Sequence, residues 1–369
     1  MSSETTELSS DAVRRLRLRA QGLVPGAVDS PGPAPVDVVR RMVALQGQDL
    51  PAVLRAIAIR SRPGTTVDDV RAAFDAGELV RGWTQRGTLF ATTPRDLAAL
   101  VSLTGERVLR TGRRIRETEG LDDAVLARAE AVAREAFAAS GPDGGISRAT
   151  LTDLWQRAGV PVEGQRGYHL IADLAVRGVL HWGPFAGTQQ LMVATPGAEQ
   201  HGAPPEDPDT ALRRIAWSYF ASRGPASTAD LAWWIGLPKT PVRAAVAALR
   251  AQEPKALVEV QVDDKPLLAG RLSGTAALTE PTGVVLVPGF DEIVLGYQDR
   301  TLVADAVAMR FVVPFVNGTF RPAVLVDGQL VGTWCRAPKR DEQPFELVPG
   351  LSARTREAVA AAVAGWHLG

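Results

Sequence analysis

The sequence predicts an α+β protein in which three successive units of helix, turn, helix and two-stranded ribbon precede a small C-terminal β-barrel. Amphipathic helices that end in short paired strands recur three times before residue 266. The apolar pattern then changes to short runs separated by Asn317-Gly318 and Asp327-Gly328, both strong hairpin signals. At 369 residues, 46% hydrophobic and 22% charged, the chain suits several globular domains and excludes wholesale disorder.

In chain order, DAVRRLRLRAQGLV (11–24) spaces Val13, Leu16 and Leu23 as a helix would. SPGPAP (30–35) interrupts the chain, and a second helix is expected from Val36 to Leu45, with Gly47 ending it and Pro51 opening the next helix, 51–60. Thr66 caps a further helix reaching about Gly77, and Leu79–Thr92 reads as two strands around Gln85-Arg86-Gly87. Helices followed by a ribbon form the winged-helix pattern. It recurs over 146–195, with a hairpin turning near Gly187, and again from Thr210 to the strand 257–262, with Ser227 and Thr240 as caps and Gly224 and Gly236 as helix stops. GVVLVPGF (283–290), RFVVPFV (310–316), TFRPAVLV and QLVGTWCR read as strands, and 351–366 as a closing helix. The expected division is 9–96, 125–196 and 208–265 for the three units, 97–124 for an Arg-rich helical connector, and 266–369 for the barrel. Linkers are expected at 198–209 and around 141–145.

Several function classes are excluded at this level. No run approaches the ~18 apolar residues of a membrane helix, and MSSETTELSS lacks the apolar core of a secretory signal, so a cytoplasmic protein is expected. One cysteine, Cys335, expected to be buried and inert in a strand, and four scattered histidines offer no metal-ligand cluster, so neither metal nor other cofactor is expected. The net charge is zero, but residues 1–120 carry 18 Arg against 14 acids, a net of +4, and the remainder is net −4. A neutral chain does not coat nucleic acid indiscriminately, so any DNA must meet a local basic face. Nucleophile elbows, P-loops, dinucleotide fingerprints and HExxH are absent.

Four segments remain. In Gln46-Gly47-Gln48-Asp49 two amides flank a glycine that permits close approach, and together they offer donors and acceptors to one small cavity; read alone, such residues at a helix end are ordinarily solvated caps. In Trp83–Phe90, Arg86 and Thr88 at the ribbon turn suit a phosphate and Trp83 suits a wedge or stack against a base; the alternative is one core aromatic and one solvated Arg. Arg107, Arg110 and Arg114 share a helix face as a phosphate track, although Glu106, Glu117 and Glu119 favour a salt-bridged exposed helix. In PGFDEIVLGYQDR (288–300), Asp291, Asp299 and Arg300 offer pocket or structural support, a structural ion pair being the default.

These motifs occur in a fixed order, RLRAQGL, LQGQD, RGTL, DLAWWIGL, PGFDEIVLGYQDR and LVDGQLVGTW. Over residues 10–366 the chain thereby resembles the bacterial winged-helix DNA glycosylases typified by the azinomycin-resistance (AlkZ-like) enzyme. The resemblance implies three tandem winged helices in a C-shape around DNA, a C-terminal β-barrel, and a catalytic Gln-x-Gln motif at Gln46 and Gln48. Asp49 is not in the family's catalytic position. Where the family's RGTL run is followed by His, this chain has Phe90, which is expected to make the pocket margin apolar and suited to a bulky aromatic adduct.

The chemistry implied is hydrolysis of the N-glycosidic bond of N7-alkylated guanine in double-stranded DNA, on natural-product adducts or interstrand crosslinks, by one protomer enclosing one site. Gln48 is assigned to the water and Gln46 to a companion contact, with their division of labour and base flipping both open. The alternatives are a non-catalytic winged-helix regulator, which would ordinarily be a symmetric dimer, and a relative that binds adducts without excising them.

Overall fold

Side-chain caps set many of the helix starts. Ser9, Asp49, Thr93, Asp122, Ser147, Ser227, Asp305 and Ser352 each accept a hydrogen bond from a backbone N–H in the first turn of the helix that follows. The computed structural model describes residues 6–24, 32–141, 144–196, 206–270, 279–315, 318–336 and 343–368. It divides into two compact units, 1–70 with 212–369, and 71–211, so the expected 9–96 segment contributes to both.

The chain opens with β1 (Thr6–Glu7), α1 (Ser10–Ala20), α2 (Pro35–Met42), β2 (Ala44–Gln46) and α3 (Leu50–Ala58). Here the structure corrects the sequence: the second helix stops at Met42, and the Gln motif leaves a strand, not a helix end. The break is at Val43, whose φ of 64° and ψ of −51° lie in the γ-turn region that a β-branched residue rarely adopts. The run Met42–Leu45 is apolar throughout, so periodicity alone does not separate a helix end from a strand start. After α3 comes α4 (Val67–Asp75), where the two units divide.

In the second unit β3 (Val80–Trp83) and β4 (Leu89–Thr92) are antiparallel, with Trp83 opposite Leu89. Long α5 (Pro94–Thr118) leads to α6 (Asp123–Ala139), α7 (Arg148–Arg157) and α8 (Arg166–Val176), then to the hairpin of β5 (Leu180–Ala186) and β6 (Gln189–Ala194). β3 also meets β5 at Arg81 and Trp182, giving the order β4-β3-β5-β6. The helices pack on this sheet through a core that includes Trp83, Trp155, Leu170, Leu174, Trp182 and Met192.

The first unit resumes with α9 (Pro208–Arg223), α10 (Thr228–Ile235), α11 (Lys239–Gln252) and the hairpin of β7 (Val258–Val262) and β8 (Lys265–Ala269), to which β1 adds in parallel on β7. Ser227 forms a capping box with Asp230, and Gly236 at φ 74° closes α10 in the left-handed conformation that glycine adopts without strain. Beyond it lie β9 (Val284–Val287), α12 (Glu292–Leu295), α13 (Ala306–Val312), β10 (Ala323–Val326), β11 (Gln329–Trp334), β12 (Phe345–Leu347) and α14 (Ala353–Ala364).

The expected barrel is not seen among the described residues. Among the described residues the C-terminal strands make one open antiparallel sheet, β12-β11-β10-β9. Four strands spaced ~4.8 Å apart cannot close around a core, and α14 packs on the sheet instead, with Trp366 just beyond it tilted against Trp334 at 4.6 Å between ring centroids. No strand forms among the described residues of the expected run 310–316: 310–312 are the last turn of α13, which Asp305 starts by capping Val307 and Ala308. Asp327 and Gly328, at φ 50° and 80°, turn β10 into β11 as expected. The other turn signal, Asn317-Gly318, falls partly outside the described residues, as do the expected linkers at 198–209 and 141–145. Cys335 follows β11 and is exposed, not buried. Among the described residues no helix is long and apolar enough to cross a membrane.

Candidate active site

The Gln46-Gly47-Gln48 segment is built from the backbone outward. Gln46 ends β2 and is 7% exposed, Gly47 is buried, and Gln48 projects into solvent just before α3. Asp49 caps α3, its carboxylate accepting from Ala52 N at 2.9 Å, so its chemistry is spent on the helix start.

The support comes from residues far along the chain. One guanidinium, that of Arg223 at the end of α9, holds the carbonyls of Met42 at 2.9 Å and Ala44 at 2.7 Å, on either side of Val43. A positive φ at valine costs on the order of 1–3 kcal/mol and persists where surrounding contacts over-determine it. Glu292, the first residue of α12, accepts the Gln46 N–H at 2.9 Å through one carboxylate oxygen. Its other oxygen takes Arg223 at 2.8 and 3.0 Å and the indole N–H of Trp234 at 3.0 Å. Both charged side chains are essentially inaccessible, at 0% and 1%. The Arg223 guanidinium also lies 4.4 Å over the Trp234 ring.

A second buried pair adjoins the first in sequence. Asp291 binds Arg60 through two parallel hydrogen bonds of 2.7 and 2.8 Å, and Arg60 passes to Gln21, Gln21 to Tyr297, and the Tyr297 hydroxyl to the Arg223 carbonyl. Arg17 donates to Pro225 O and lies 3.9 Å over the Tyr297 ring. Burial pushes the Tyr219 and Tyr297 phenols up, so both remain neutral donors, Tyr219 to Gly296 O at 2.7 Å. Burial, then repulsion from Arg60 and Arg223, lowers Arg41 to about 10.

The remaining predicted residues fall elsewhere. Asp291 is in the ion pair just described. Asp299 is a local turn former whose carboxylate takes the Thr301 hydroxyl and N–H, which hold it below the usual carboxylate range. Arg300 finds no acid among its described partners; it donates to Val294 O and lies between the rings of Trp233 and Phe320, and burial lowers its pKa.

In the second unit Trp83 is core: it is 4% exposed, its indole donates to Gly87 O, and it packs against Tyr168 and Trp182. A wedge into DNA would require it to leave that core. Phe90 is wholly buried and does not form an open apolar margin; the Arg86 guanidinium lies 5.6 Å from its ring centroid. Arg86 itself is in the left-handed region, φ 57°, and Thr88 is half-buried. On α5, Arg107, Arg110 and Arg114 are exposed on one side of the helix. Arg110 pairs with Glu106, and neighbouring Arg113 with Glu117. Among the described residues no carboxylate pairs with Arg107 or Arg114.

Sequence reading missed Arg60, Arg223, Trp234, Glu292 and Tyr297 as a set. A signal was present, since each charged member sits at the edge of an apolar run (AIAIR, YFASR, DEIVL), where burial demands a partner.

Comparison with known proteins places the chain in a family. The family model of AlkZ-like DNA glycosylases matches residues 39–367. A curated relative, the interstrand DNA cross-link repair glycosylase of Streptomyces sahachiroi, is 26% identical over 325 residues, 82% of each chain. The solved structure of the Streptomyces sahachiroi DNA glycosylase AlkZ superimposes with a TM-score of 0.74, at 22% identity, over 97% of this chain and 96% of that one. With a family model matched over residues 39–367, this chain belongs to the AlkZ-like DNA glycosylase family.

Proposed function

We propose that this DNA glycosylase hydrolyses the C1′–N9 bond of N7-alkylated guanine in double-stranded DNA, acting as a monomer on bulky adducts or crosslinks. One observation carries the reading: each carboxylate described around the Gln motif within its own unit is already committed, Asp49 to a cap, Asp291 to Arg60, and Glu292 to Arg223 and the Gln46 N–H. What remains there are neutral amides, which do not deprotonate water near neutral pH.

Such a site suits a substrate whose leaving group is already activated. N7-alkylation makes the guanine cationic; on heterolysis the bonding pair goes to N9, neutralising the base and leaving an oxocarbenium-like sugar. An amide carbonyl then orients water for attack at C1′, the water's proton passes to solvent, and an abasic site remains. Ordinary bases leave poorly, so weak catalysis itself confers selectivity. The relative's name, a cross-link repair glycosylase, supports large lesions.

The test is single-turnover release from oligonucleotides carrying a bulky intercalating N7-guanine adduct, 7-methylguanine, uracil or no lesion. The bulky adduct should be released fastest, 7-methylguanine more slowly, and uracil and undamaged bases not at all. Faster release of 7-methylguanine, or any release of uracil, overturns the substrate assignment. Tight binding with no abasic sites from any lesion would support a non-catalytic DNA-binding protein.

A further inference from the structure

The Gln motif is carried on a strand of three residues that begins at a strained turn, and so short an element does not fix its own geometry. Three attachments fix it from elsewhere: the Arg223 guanidinium on the Met42 and Ala44 carbonyls, Glu292 on the Gln46 N–H, and Trp234 on the same carboxylate. We propose that Arg223 and Glu292 are positioning residues for excision, a buried ionic clamp that sets where Gln46 and Gln48 point. This rests on the reading of those two glutamines as the reacting pair.

The donor and acceptor inventory makes the clamp specific. Glu292 uses one oxygen for the Gln46 N–H and the other for Arg223 and Trp234, so both must be acceptors. A glutamine there keeps the shape but must turn its NH2 toward one of two sets of donors. Arg223 spans two carbonyls and a carboxylate with one planar group, which a lysine cannot do. Because a small misplacement of reacting groups costs rate far more than binding, loosening the clamp should reach the chemistry first.

The experiment uses the full-length protein and a duplex bearing an N7-alkylated guanine, with the Glu292→Gln, Arg223→Lys and Trp234→Phe variants. Each should release the base ~10- to 100-fold more slowly in single turnover, Trp234→Phe least, with Kd for the duplex within about twofold of wild type. Amide exchange at Gln46 should accelerate in Glu292→Gln, since its N–H loses the carboxylate. Combined with Gln46→Ala, Glu292→Gln should cost a clearly smaller factor than in the wild-type background, because one of the two side chains it orients is gone. A purely structural role would instead lower the rate by the same factor in both backgrounds. That result, or wild-type rates for Glu292→Gln and Trp234→Phe with faster Gln46 exchange, overturns the clamp. Should Glu292→Gln fail to fold, the milder Trp234→Phe decides alone: a wild-type rate overturns the proposal, and a slower rate with unchanged Kd supports it. Wild-type excision by both Gln46→Ala and Gln48→Ala would instead sink the assignment of the site, whatever the exchange shows.

Discussion

Arg60 and Asp291, 231 positions apart, face each other as a bidentate ion pair with side chains 0% and 1% exposed. The pair joins the end of the third helix to the cap of the short helix that carries Glu292, so a stability element and the floor of the candidate site are one structure. Removing one partner strands a buried charge. Asp291→Asn or Arg60→Met should each cost about 3–5 kcal/mol in denaturant unfolding, whereas the double replacement should cost clearly less than the sum of the two.

Asp49 separates capping from chemistry. Asp49→Ala should lower stability by about 1 kcal/mol through loss of its bond to Ala52 N, and should leave excision within a few-fold of wild type. Gln46→Ala and Gln48→Ala should do the reverse, slowing single-turnover release by about 100-fold or more with melting temperature and DNA affinity near wild type. Thermal melts and release assays on the same preparations check both.

On the fifth helix, Arg107 and Arg114 face solvent while Arg110 is partnered by Glu106. If they meet the DNA backbone, replacing either with Gln should weaken binding to all duplexes alike and reduce the slope of log K against log salt by about 1. Arg110→Gln should have the smaller effect. Fluorescence anisotropy over a salt series measures this.

Trp83 and Phe90 are core residues of the second unit. Trp83→Ala should cost about 3–5 kcal/mol in equilibrium unfolding, since it removes a ring packed on Tyr168 and Trp182 and leaves a cavity. Phe90→His, which restores the residue type expected from the family pattern, should also destabilise, because its imidazole would be desolvated beneath Arg86.

Asp299 gives a pH dependence. The Thr301 hydroxyl and N–H hold its folded carboxyl below the ordinary 3.8, so the folded state binds this proton less readily than the unfolded chain. Its contribution is therefore present above pH 3.8 and is lost as pH falls through the lower folded value. The side chain is half exposed, so Asp299→Asn should cost less than about 1 kcal/mol at pH 7, and the difference from wild type should vanish in acid. Urea unfolding at several pH values resolves it.

Local chemistry determined much of this protein from sequence alone. The ribbon around Gln85–Gly87, the hairpin at Gly187, the Asp327-Gly328 turn and the Ser227 cap are short-range features, and each forms where residue type and spacing place it. The Gln pair stood out only through the family resemblance, since two amides around a glycine, read alone, are ordinarily solvated caps. Tertiary structure decided what propensity left balanced. Runs such as Met42–Leu45 and the start of 310–316 leave helix and strand balanced, and the outcome turned on a distant guanidinium in one case and, for 310–312, a capping carboxylate in the other. Strand closure depends on how many strands share an edge, which no single run encodes, so the barrel gave way to an open sheet. Which charges are buried also emerges only on folding: Arg60, Arg223, Asp291 and Glu292 look like surface residues until segments 231 and 69 positions apart withdraw them from water and pair Arg60 with Asp291 and Arg223 with Glu292.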